Sequence, residues 1–194
     1  MDDYRARRTL FEQESTFRVD AGMLTRSVGG ADVQHLALAD VRKVRLAYQP
    51  LTMVDRWVCS VEGGGARIWV PSASFLGPAR AEDRRATFRP FVEALSQAIA
   101  AQPGASEVSF AKGSNWSAYG ALALLIVLVV MLVLLALGVM GAFIDGQGVG
   151  GASWVFLPTL VVLMSVRMVW RVWRRNRRAP FDPNAFPVDF APTA

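Results

Sequence analysis

Catalysis in this chain has little to work with beyond His35 and Cys59, its single histidine and single cysteine. A Cys/His zinc cluster needs more ligands than these, and one cysteine closes no internal disulfide. A thiol nucleophile at Cys59 requires a base, and His35 is the one imidazole that could serve. Cys59 alternates with Trp57 and Val61, the pattern of a core position on a strand. The acidic residues follow no cation-binding spacing. Gly63-Gly64-Gly65 lacks the Lys-Ser/Thr of a phosphate loop and the spacing of a dinucleotide fingerprint, and reads as a hairpin turn. No catalytic residue, no metal ligand and no cofactor are expected, and the chain reads as non-enzymatic.

Cationic and aromatic residues are better represented. Arg171, Arg174, Arg175, Arg177 and Arg178 place five arginines in eight positions. Two further basic groups, Arg42-Lys43-Arg45 and Arg84-Arg85-Arg89, lie upstream. The arginine run is followed by a tail whose four prolines forbid a helix, with Phe181, Phe186 and Phe190 recurring every four or five residues. Disordered tails are poor in aromatics. The three rings are therefore candidates for docking, either on the chain's own N-terminal domain or on a partner. An apolar tail lying along a membrane interface is the competing reading.

The composition directs where these groups would act. Of 194 residues, 53% are hydrophobic and 19% charged, with a formal net charge of +5. A soluble domain is nearer a quarter charged. Residues 113–144 and 146–166 carry no charged side chain, and each run is long enough to cross about 30 Å of hydrocarbon as a helix. The expectation is a transmembrane hairpin over 114–173, with spans at about 119–140 and 154–170. A buried core helix is the alternative for each run. The connecting loop has no Lys or Arg, whereas Arg171–Arg178 follows the second run, so the positive-inside rule puts both termini in the cytoplasm. The expected location is the cell inner membrane, multi-pass. The arginine run then becomes a candidate contact for anionic lipid head groups. Residues 1–8 are charged and no apolar stretch follows them, so a cleaved presequence is not expected.

Residues 1–113 read as the elements that would position a binding surface. Asp20-Ala21-Gly22, Gly29-Gly30-Ala31-Asp32 and Glu62-Gly63-Gly64-Gly65 separate short alternating runs, the signature of hairpins. After Pro71 the period changes, and Phe91, Leu95, Ala98 and Ile99 share one helical face. Strands followed by one packed helix predict a small α+β domain, a curved sheet or barrel with a closing C-terminal helix. Residues 174–194 form a basic, then Pro/Phe-rich, cytoplasmic tail.

Leu36-Ala37-Leu38-Ala39-Asp40-Val41, Ile68-Trp69-Val70-Pro71-Ser72-Ala73-Ser74-Phe75 and Phe88-Arg89-Pro90-Phe91-Val92 resemble bacterial PH-like domains. The whole arrangement is similar to small two-span inner-membrane proteins carrying such a domain at the N-terminus. The resemblance implies binding of lipid head groups or peptides, a fold-level analogy. The expected function is a non-catalytic integral membrane protein whose PH-like domain recognises a protein partner or anionic lipid at the inner leaflet. Membrane lipids, a protein partner and a second copy of the chain are the expected partners; nucleic acid is not. A small oligomeric channel or transporter subunit, and a membrane-bound enzyme, are the alternatives.

Overall fold

The computed structural model describes residues 3–50, 55–77, 80–113, 120, 124, 126–132, 164–167 and 169–185. It divides into two units, residues 1–114 with 178–194, and residues 115–177.

The first unit is built from hairpins. Strands β1 (Tyr4–Ala6), β2 (Ser15–Asp20), β3 (Met23–Val28) and β4 (Ala31–Ala37) form one antiparallel sheet in that order. Ala21 and Gly22 both take positive φ between β2 and β3, the two-residue turn whose twist suits a hairpin. A 3-10 turn at Leu38–Asp40 leads into β5 (Val41–Pro50), β6 (Asp55–Gly63) and β7 (Ala66–Pro71). These three belong to a second, five-stranded sheet. Strands β8 (Ala73–Gly77) and β9 (Arg80–Asp83) pair as a further hairpin. Then come helix α1 (Arg85–Ala100) and strand β10 (Ser109–Lys112), which pairs parallel with β5. The last strand, β11 (Ala179–Pro180), arrives from the tail and pairs antiparallel with β10.

Burial alternates along most of β5, whereas β6 is covered on both faces, with every residue from Arg56 to Val61 buried. Val44, Leu46 and Tyr48 are buried, as are Trp57, Cys59 and Val61 opposite them, one face of a strand pair. Phe88, Phe91, Val92, Leu95 and Ile99 bury the inner stripe of α1. Tyr4 joins strand to helix: its ring contacts Phe17, Phe88 and Phe91, and its hydroxyl donates to the Pro71 carbonyl at 2.6 Å. Helix α1 starts at Arg85, so Pro90 falls in its second turn. Asp83 supports that start: its Oδ1 accepts the Arg85 backbone N–H at 2.9 Å, the carboxylate-at-N-terminus arrangement that helices favour.

The second unit contains helical stretches at 126–132, 164–167 and 169–175. Leu128 and Val169 are buried, with Val166, Val172 and Trp173 packed against them. Ile126, Val127, Val129 and Val130 are about half exposed.

The expected fold of a PH-like domain followed by a transmembrane hairpin is corrected here. The described structure is mostly sheet, 47% strand, and shows no two-helix hairpin. Among the described residues no helix is long and apolar enough to cross a membrane. The membrane and transmembrane assignment, and the multi-pass inner-membrane location drawn from it, fall with the hairpin. Most residues of the two expected spans lie outside the described residues. Hydropathy measures how strongly a run avoids water, not what it packs against. Leu128 and Val169 meet neighbouring side chains of their own unit, while the apolar residues on either side of Leu128 stay exposed.

Candidate functional site

One end of the five-stranded sheet carries a row of opposed residues. Ser109 stands opposite Lys43, Lys43 opposite Glu62, and Glu62 opposite Arg67. Directly opposed residues on paired strands share a face, so four strands present this polar row together. The next row holds Arg45, Ser60 and Trp69. Arg67 lies over the Trp69 ring, 4.4 Å from its centroid, and pairs with Glu62 at 3.0 Å.

Arg42 reaches the same place through an irregularity. Val41 is opposite Gly63 and Lys43 opposite Glu62, so Arg42 is an extra residue in the ladder. Successive residues of a regular strand face opposite ways; a bulge re-aims the extra side chain. Arg42 and Lys43 thereby line one basin together with Glu62, Gly63, Arg67 and Ser109. Gly63 makes the bulge possible, because a Cβ there would sit 2.2 Å from the Asp40 carbonyl oxygen. The turn beyond it, Gly64-Gly65, takes positive φ at both positions.

The basin is open, about 520 Å³, and its lining includes Arg178. Four cations thus face one carboxylate, Glu62. Arg42 is also held by Glu107 at 2.7 Å. Among the described residues neither Lys43 nor Arg178 pairs with a carboxylate. Lys43 is half-buried and Arg178 exposed. A half-buried cation keeps more of its Coulomb attraction than one fully in water.

The arginine run divides between the two units. Arg171, Arg174, Arg175 and Arg177 belong to the second, where Arg177 lies over the Trp173 ring at 5.3 Å; Arg178 belongs to the first. Of the tail rings, Phe181 is buried against Phe110, with centroids 5.6 Å apart and planes at 78°. Its backbone N–H donates to the Phe110 carbonyl at 3.3 Å. Phe186 and Phe190 lie outside the described residues. The group at Arg84-Arg85-Arg89 does not join the basin: Arg84 is shared by Glu14 and Glu82 and Arg85 is held by Asp83.

The thiol and the imidazole are not assembled into a couple. His35 is exposed on β4, with Nδ1 3.3 Å from the Thr25 hydroxyl. Cys59 is wholly buried on β6, in the other sheet, and burial pushes its pKa up to about 12. A buried thiol of raised pKa carries almost no thiolate near neutrality. Folded protein at about pH 8 should therefore leave Cys59 unlabelled by a disulfide reagent, whereas denatured protein should yield its thiol at once. Rapid labelling of the folded chain would contradict this burial. Among the described residues no group of three His, Cys, Asp or Glu side chains could hold a metal ion.

Sequence reasoning missed two features. Arg67 and Ser109 join the basin through register alone, and the bulge at Arg42 has no signal near it in sequence; Gly63, which admits it, reads in sequence only as part of a turn. Arg56 is also unexpected: it is 7% exposed, donates to the Arg8 carbonyl at 3.2 Å and lies over the Phe75 ring.

Fold and site together define a β-rich unit with a concave, cation-lined surface at the end of one sheet. Compared with protein-family models, curated proteins and solved structures, the chain matches none.

Proposed function

We propose that the chain is a non-catalytic binding module whose basin takes an acidic segment of a protein partner. The observation that carries this is the convergence of Arg42, Lys43, Arg67 and Arg178 on one open surface. Cations arranged in this way steer an acidic partner and fix its register. Interleaved charge favours a protein segment over a lipid surface. Glu62 sits among the cations and Glu107 is exposed beside them, and a plane of anionic head groups avoids such carboxylates less readily than a flexible segment does. Ser109 adds a hydroxyl that donates to a carboxylate.

The test is equilibrium binding of a fluorescein-labelled oligoglutamate peptide to the full chain, followed by anisotropy. Affinity should fall between ~50 mM and ~300 mM salt, because screening shortens the reach of exposed charges. Lys43→Glu should weaken binding about tenfold, since a like charge then faces the ligand. No binding by the wild-type chain at low salt, or binding indifferent to Lys43→Glu, would sink the proposal. Binding to phosphatidylcholine/phosphatidylserine vesicles in place of the peptide would replace it with a lipid-binding role.

A further inference from the structure

We infer that the tail is a working part of the basin: β11 and the Phe181 anchor hold Arg178 over it, so that ligand binding and tail docking stabilise each other. This rests on the reading of the basin as an acidic-segment site. Arg178 immediately precedes β11 and is separated in sequence from every other lining residue by the whole second unit. Nothing local to Arg178 brings it to Lys43 and Ser109. Its place depends on β11 docking at the outer edge of β10, where Ala179 stands opposite Lys112 and Pro180 opposite Ala111.

Two residues are a thin strand, and Pro180 has no N–H to donate. The ring of Phe181, buried edge-to-face on Phe110, supplies the apolar contact that the ladder lacks. The chain then turns, with Asp182 Oδ1 accepting the Asn184 N–H at 2.8 Å and a bridge from Asp182 to Ala185. An anion held by Arg178 favours the docked tail, and by reciprocity the docked tail favours the anion by the same factor.

The experiment is the same anisotropy titration of the full chain with oligoglutamate, run as a double-mutant cycle. Phe181→Ala should weaken binding about fivefold or more, and Phe181→Leu, which keeps an apolar anchor, should restore most of the affinity. Arg178→Gln should weaken binding too, and Phe181→Ala added to it should have little further effect, because the residue being positioned is already gone. An unchanged or tighter affinity in Phe181→Ala, or losses that add in full, would overturn the inference while leaving the basin reading intact. Absence of peptide binding by the wild-type chain would take both down. Should Phe181→Ala fail to fold, hydrogen exchange of the wild-type chain decides: saturating peptide should slow exchange at the Ala179 and Phe181 amides, and unchanged rates would refute the coupling.

Discussion

Trp57→Ala is expected to lower the unfolding free energy by about 3–5 kcal/mol, the range for deleting a buried indole. Trp57 is 1% exposed and meets the Tyr48 ring edge-on at 5.3 Å across the β5–β6 pair. Its backbone is held as well: its N–H donates to the Ser72 hydroxyl and its carbonyl accepts the Ser72 N–H, both at 2.7 Å. Removing the indole takes the edge-on ring away from Tyr48, whose hydroxyl still holds Asp55, at a point where the strands cannot collapse inward without breaking those bonds. The cost should therefore sit in the upper part of the range. Urea denaturation of the full chain measures it, and a loss below about 1 kcal/mol would show that the site refills.

Gly63→Ala should cost about 3 kcal/mol and weaken anion binding at the same time. The added methyl would meet the Asp40 carbonyl oxygen at 2.2 Å and the Val41 Cα at 2.6 Å. Both are backbone atoms, so no side chain can swing aside. Overpacking of this kind costs about 1–3 kcal/mol and occasionally more, and here the strain falls on the bulge that turns Arg42 toward the basin. Gly65→Ala is the control. It meets nothing within 4 Å, so only its positive φ opposes the change, at about 1–2 kcal/mol. Equal losses at the two positions, with peptide affinity untouched in both, would mean that the close approach at Gly63 shapes neither the fold nor the site.

The hairpins were legible because turns are local. Asp20-Ala21-Gly22 and Glu62-Gly63-Gly64-Gly65 carry their own backbone requirements, and the strands on either side of them run where alternation places them. The face of α1 was largely legible for the same reason: of the expected stripe Phe91, Leu95, Ala98 and Ile99, all but the half-buried Ala98 are buried. The burial of Cys59 followed from its apolar neighbours at alternate positions. The candidate site was legible only in pieces. Arg42-Lys43 and Arg178 stood out as basic groups, but sequence offered no reason to join them, and Arg67 and Ser109 carried no signal of their own. The transmembrane hairpin shows the opposite failure. There the apolar signal was strong, yet it spoke only of aversion to water; among the described residues no helix is long and apolar enough to cross a membrane, and Leu128 and Val169 are buried while Ile126, Val127, Val129 and Val130 stay about half exposed.

What this chain's sequence determines by itself is therefore what short-range physics controls. It sets which residues turn, which alternate, which face of α1 is apolar, and which catalytic and ligating residue types are scarce. What the tertiary structure decides is register and company. A register shift at Val41/Lys43 sets Arg42 beside Lys43, four-strand pairing lines up Arg67, Glu62, Lys43 and Ser109, and an edge of β10 left unpaired by β5 receives the tail that brings Arg178. These are long-range pairings. Each depends on the free energy of the assembled sheet rather than on the preference of any residue for its neighbours in the chain, and so no local pattern announces them.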